Sequence, residues 1–125
     1  MPSTNYLEAK ILDHVLRNTT YTAAATVYLA LYTATPNDTG GGTEVTGGSY
    51  ARNATSFSAA SGGSISNSAI ETFTNMPAAT VISVGIFDAS SGGNLLLYGN
   101  LVSNIIVTAA SEVEFGIGDI TVTLE

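Results

Sequence analysis

No cysteine occurs in the chain, so neither a disulfide framework nor a thiolate metal site is available to it. Small secreted domains of eukaryotic type usually need disulfides, and their absence here points to an assembly made in a cytoplasm. Tryptophan is missing as well, which weakens any carbohydrate-binding reading. Charge is scarce: 10% of residues are Asp, Glu, Lys or Arg, against roughly a quarter in ordinary soluble domains. Cations are scarcest of all, limited to Lys10, Arg17 and Arg52 against ten carboxylates. A net charge of −7 lacks the clustered cations that nucleic acid demands and disfavours an anionic membrane surface. No run approaches the roughly 20 apolar residues of a membrane span. Met1-Pro2-Ser3-Thr4-Asn5 lacks the basic start and apolar stretch of a signal peptide, so a soluble, unprocessed protein is expected.

What remains is a chain of 125 residues, expected to form one domain, that is 45% hydrophobic and rich in Ser, Thr, Ala, Asn and its 13 glycines. Such a surface is polar but nearly uncharged, and suits a subunit packed among neighbours. The charge is also unevenly placed. Glu8 and Asp13 balance Lys10 and Arg17, so residues 1–17 are neutral and the whole net charge of −7 falls on residues 18–125. Like charge on that body keeps it soluble and repels other polyanions.

Residues 5–17 read as a helix. Leu7, Ile11 and Val15 recur at four-residue spacing, Leu12 and Leu16 widen the stripe, and Asp13 and Arg17 form an i,i+4 pair. Asn5 followed by Glu8 suggests a capping box with Asn5 as N-cap. A helix this short is marginal alone in water, so its stripe must dock on its own body or on another subunit.

From residue 26 the pattern is β. Thr26 to Ala34 alternates Val27, Leu29 and Leu31 on one face with Tyr28, Ala30 and Tyr32 on the other, as in a central or covered strand. A loop follows at Pro36–Gly42, then a short segment at 43–46. Tyr50–Ala60 and Ser64–Phe73 are two weaker strands joined across Ser61-Gly62-Gly63. Ile82, Val84 and Ile86 lead to a turn at 90–93. Return through Leu95, Leu97 and Leu101 sets Ile86 opposite Leu97, Val84 opposite Gly99 and Ile82 opposite Leu101. Near the end, apolar residues switch from odd positions (Val113, Phe115, Ile117) to even ones (Ile120, Val122, Leu124). A two-residue hairpin at Gly118-Asp119 explains the switch by facing Phe115 with Val122, Ile117 with Ile120 and Val113 with Leu124. A glycine bulge within one long strand is the alternative. The expected fold is mainly β: a sandwich or barrel of seven or eight short antiparallel strands over 26–125, preceded by one amphipathic helix.

Chemistry is sparse. His14 is the lone histidine; Asp13 beside it points about 100° away on a helix, so no orienting carboxylate serves it. No Gly-x-Ser-x-Gly elbow occurs, and the glycine pairs lack the lysine of a phosphate loop. Glu112 and Glu114 share a strand face without aromatic walls, and read as a solvated edge. Asp38 and Glu44 flank a glycine loop but lack calcium-loop spacing. No catalytic, cofactor or metal residues are assigned, and no enzyme is expected.

Two blocks, Asn5-Tyr6-Leu7-Glu8 with Leu12–Arg17 and Thr26–Tyr32, resemble the opening of a family of small phage virion proteins. Gly47–Arg52, Gly85–Ala89 and Gly92–Leu96 resemble its later blocks. Members are commonly labelled tail-fibre proteins. The resemblance implies a non-enzymatic virion component, made in the host bacterial cytoplasm. Lacking the coiled coil or β repeat of a fibre shaft, the chain is expected to be a capsid decoration or cement protein. The alternative is a tail-fibre or tail-appendage subunit, an adaptor or tip, with Tyr50 and Asn53 the only candidate glycan platform. Expected partners are other virion proteins and further copies of the chain, with a trimer as the expected oligomer. Leu7, Ile11, Val15, Tyr28 and Tyr32 are the expected interface residues, unless helix and tyrosines lie in the subunit's own core.

Overall fold

Strand β1 (Val27–Ala34) is the centre of the molecule, because both of its faces are apolar and each needs cover. The computed structural model describes residues 1–124; Glu125, the last residue of the expected β body, lies outside them. Helix α1 (Asn5–Leu16) precedes β1. After it come β2 (Thr43–Glu44), β3 (Asn53–Thr55), β4 (Ser64–Ser66), β5 (Glu71–Met76), β6 (Ala79–Phe87), β7 (Leu95–Val107), β8 (Ser111–Phe115) and β9 (Thr121–Thr123). One sheet runs β2-β1-β6-β7, with β3 sharing β1's outer edge beside β2. β5 pairs with β8, and β4 with β9, all antiparallel. The fold is a mainly β, sandwich-like arrangement with one N-terminal helix, as its alternation and turn spacing predict.

The main core lies between these layers. Leu29 and Leu31 of β1, Val84 and Ile86 of β6, Phe73 and Met76 of β5, and Val113 and Phe115 of β8 are all buried in it. Phe73 stacks on Tyr50 at 6.0 Å and meets Phe115 edge-on at 6.4 Å, geometries that add to the area term. The other face of β1 forms a second, smaller core of Ala30 and Tyr32 with Phe87 and Leu95. Gly85, paired with Ala30, is essential to it: a Cβ there would come within 2.9 Å of the Tyr32 ring and 2.8 Å of Leu95.

The β6–β7 register holds where the turn dictates it and fails beyond. Ile86 faces Leu97 and Val84 faces Gly99, but Ile82 does not face Leu101. Asn100 pairs with Ser83 and Ile105 with Val81, so the single residue Ile82 stands opposite four, 101–104. This bulge flips the phase of β6, taking Val81 into the core, while β7 keeps its alternation and leaves Val102 and Ile106 exposed.

Two further expectations are corrected. Tyr50–Ala60 and Ser64–Phe73 are not two long strands; the first is continuous strand only in β3, with isolated antiparallel bridges from Phe57 to Asn67 and from Ser61 to Ser64, and the second is divided into β4 and β5. Nor do residues 113–124 form a hairpin about Gly118-Asp119. The segment runs as one interrupted strand along 64–76, Phe115 pairing with Glu71 and Val122 with Ile65. Five residues, 116–120, stand opposite four, 67–70, which is the bulged alternative. Asn67 holds it in place. Its Oδ1 accepts the Ile120 N–H at 2.9 Å, and its Nδ2 donates to the carbonyls of Ala69 and Gly116 at 2.9 and 3.0 Å. Phe115 and Val122 are both buried, on either side of the bulge.

Replacing Phe115 by Ala is expected to cost about 3–5 kcal/mol, as for other buried aromatics. Asn67→Ala, which strands a buried N–H and two carbonyls, is expected to cost about 1–3 kcal/mol. Urea denaturation of the two variants checks both values.

Candidate interaction surface

The start of α1 is fastened to the body with unusual thoroughness. Thr4, 2% exposed, is the N-cap, and Asn5 is the first helical residue. The N-cap therefore lies one residue before the expected Asn5, and the expected capping box with Glu8 does not form, since the third helical position is Leu7. Thr4 Oγ1 accepts the Leu7 N–H at 3.4 Å and donates to the Leu95 carbonyl at 2.7 Å, while the Thr4 N–H donates to the Leu96 carbonyl. Ser3 pairs with Leu97 across the edge of β7, the Tyr98 N–H reaches the Pro2 carbonyl, and the Asn5 N–H reaches the Asp38 carbonyl. Glu8 accepts a hydrogen bond from Ser3 Oγ at 2.9 Å.

Beyond this clamp the helix leaves the body. None of its residues is buried. Leu7 and Ile11 are half-covered, whereas Leu12, Val15 and Leu16 are 57%, 68% and 75% exposed. The stripe is therefore not part of the subunit's own core. Asp13 and Arg17 pair at 3.1 Å, and His14 Nδ1 accepts the Tyr21 N–H, fixing the chain as it turns back.

The expected interface tyrosines separate. Tyr28 is half-buried, but Tyr32 is 3% exposed and fills the second core, so it presents nothing to a partner. What covers that core is Arg52. Its guanidinium lies 3.5 Å from the centre of the Phe87 ring, a cation–π contact. Glu44 grips it at both oxygens, at 2.9 and 3.0 Å, and the Ala89 and Gly92 carbonyls accept from its Nη1. Glu44 also accepts the Tyr50 hydroxyl proton at 2.7 Å, while the Tyr50 oxygen accepts the Leu31 N–H. One cation thus ties β2, the 50–52 segment and the 89–92 turn together.

That arrangement occupies the residues with other conceivable uses. Tyr50 is stacked on Phe73, and Asn53 Nδ2 donates to the Thr72 carbonyl, so they form no open glycan platform. Glu44 is held by Arg52, and Asp38 by the Tyr98 hydroxyl. Among the described residues no group of three or more His, Asp or Glu is placed to hold a metal ion, and no helix is long and apolar enough to cross a membrane.

Sequence reasoning missed Thr4, Asn67 and the role of Arg52. A threonine immediately before the first helical turn is an N-cap signal, and a lone body cation among eight carboxylates had to find a partner. Asn67 carried no local signal.

A family model described as podophage GP4 fiber I protein gp80 matches residues 2–123. The chain belongs to this family. Its members are structural fibre proteins, and the protein is accordingly a component of the phage virion. A search of curated proteins finds no match.

The Arg52 cluster generates a pH dependence. Burial, and then the charge of Glu44, push the Tyr32 hydroxyl up to about 12. Burial and the hydrogen bond to Glu44 raise that of Tyr50 as well. An unfolded tyrosine ionises near pH 10, so the stabilisation is complete below about pH 10 and is lost as pH climbs towards about 12. Urea midpoints are expected to fall across that window, and Tyr32→Phe is expected to flatten the fall.

Proposed function

We propose that the protein is a non-enzymatic subunit of a phage fibre, an adaptor or tip unit that joins its neighbours through the exposed face of α1. The observation carrying this reading is the family match over nearly the whole chain, and it puts the fibre ahead of the capsid decoration role that compactness alone favours. The helix supports it physically. Leu12, Val15 and Leu16 stand in water on an element too short to be stable by itself, and covering them across a joint recovers on the order of 1.5 kcal/mol or more for each side chain buried. The interface set is Leu7, Ile11 and Val15, widened by Leu12 and Leu16, with Tyr28 at most marginal. The acidic body keeps copies soluble until they assemble.

Particles made without the protein are expected to lose fibre density in electron micrographs and to adsorb poorly to host cells. Leu16→Asp, at an exposed position, should leave the fold intact by circular dichroism yet keep the protein out of particles. Depleted particles that retain their fibres and adsorb normally, but burst at lower temperature, would return the protein to the capsid lattice.

A further inference from the structure

A cleft of about 410 Å³ lies at the clamped base of α1, bordered by the helix start, the loop after β1 and the start of β7. That volume falls within the range of small-ligand sites, about 300–1,000 Å³. Tyr32 and Phe87, both buried, line it from the second core, and Tyr6 lines it from the helix. Two other tyrosines have their hydroxyls paired, Tyr50 with Glu44 and Tyr98 with Asp38. Tyr32 is 3% exposed, yet among the described residues nothing hydrogen-bonds its hydroxyl, on which only burial and the charges of Glu44 and Arg52 act. A tyrosine so deeply placed ordinarily finds a partner, and leaving its hydroxyl without one is unfavourable. Tyr32 borders the cleft, so the missing partner is supplied from there.

We propose that this cleft binds a neutral saccharide, one sugar hydroxyl pairing with the Tyr32 hydroxyl and the C–H face of the ring packing on Tyr6. The walls select that class. Asp38 is the one charged residue lining the cleft; Lys10, Arg17 and Arg52 line none of it. An anionic ligand would meet a carboxylate and no counter-charge. A cation would find only Asp38, which is exposed to water and shared with the Tyr98 hydroxyl. A wholly apolar ligand would seal in the Tyr32 hydroxyl unpaired. What satisfies the site is a neutral ligand with hydroxyls around an apolar face. Such hydroxyls donate or accept as needed, and two neutral amides are there to meet them. Asn5 contributes its side chain, and Asn94, anchored to Asp88 through Nδ2, offers its Oδ1. Leu12, Val15 and Leu16 lie at the other end of α1 and do not line the cleft. Sugar binding therefore goes beyond the joining role of the helix and does not depend on it.

Nuclear magnetic resonance on the isotope-labelled full-length protein tests this. The probes are glucose, galactose, mannose and N-acetylglucosamine, with glucuronic acid as an anionic counterpart and N-acetyl-trialanine amide as an uncharged peptide. At least one neutral sugar is expected to shift the amide resonances of Tyr6, Gly41 and Asn94 saturably, and glucuronic acid to leave them in place. Tyr32→Phe, which keeps the ring and drops the hydroxyl, should weaken that sugar about three- to tenfold. Tyr6→Ala should weaken it at least as much while leaving the circular dichroism spectrum unchanged. Leu16→Asp should bind as wild type does, whatever becomes of its entry into particles. No saturable shift with any of the neutral sugars would overturn the proposal. So would binding of glucuronic acid or the peptide in their place, or unchanged binding by Tyr32→Phe, which would leave the hydroxyl to water.

Discussion

Strand β1 imposes the constraint from which the rest follows. A strand apolar on both faces cannot lie at a surface, so two separate covers must be found within a short chain. The β5–β8 and β4–β9 pairs supply the first and enclose the larger core. The second face is closed economically, by Phe87 and Leu95 from the same sheet and by the flat guanidinium of Arg52 laid over Phe87. Burying a cation is tolerable only when its donors are satisfied, and here Glu44 and two turn carbonyls satisfy them. With Arg52 laid over Phe87, α1 contributes only the partial cover that Leu7 and Ile11 gain against the body.

How far the fold could be read in advance depended on whether its determinants were local. The two faces of β1 were legible because alternation reports which side a residue takes. The β6–β7 register was legible from Ile86–Leu97 to Val84–Gly99 because a short turn fixes it. It was lost at Ile82 because the extra residues of the bulge, 101–104, alternate like any strand. At Gly118-Asp119 the phase change is real, but it marks the bulge and not the hairpin. Phase tells which face a side chain occupies and says nothing of which strand lies beside it. The deciding hydrogen bonds come from Asn67, about fifty positions away in the chain.

The interaction surface was half legible for a similar reason. Periodicity found the helix and its stripe, but periodicity is the same for a helix docked on its own body and one docked elsewhere. The placement of Thr4 shows only that the stripe is not buried in the subunit's own core. The hydrogen bonds of Thr4 to Leu95 and Leu96 fix where the helix begins, so that Leu7 and Ile11 graze the body while Leu12, Val15 and Leu16 clear it. Tyr32 illustrates the converse: an aromatic residue that composition favours at an interface was claimed by the second core.

The charge pattern gives the projecting helix its consequence. A fully acidic chain would hold every copy and every acidic neighbour at a distance, while an uncharged one with this apolar face would aggregate. Confining the net charge to the body leaves residues 1–17, and with them the helix, neutral. The clamp at Thr4 fixes the angle at which the helix leaves the body, and the Tyr21 N–H bonded to His14 holds its far end against the returning chain. Assembly of rigid units needs such a fixed angle: it sets the rotation from one subunit to the next, and hence whether the array closes or extends.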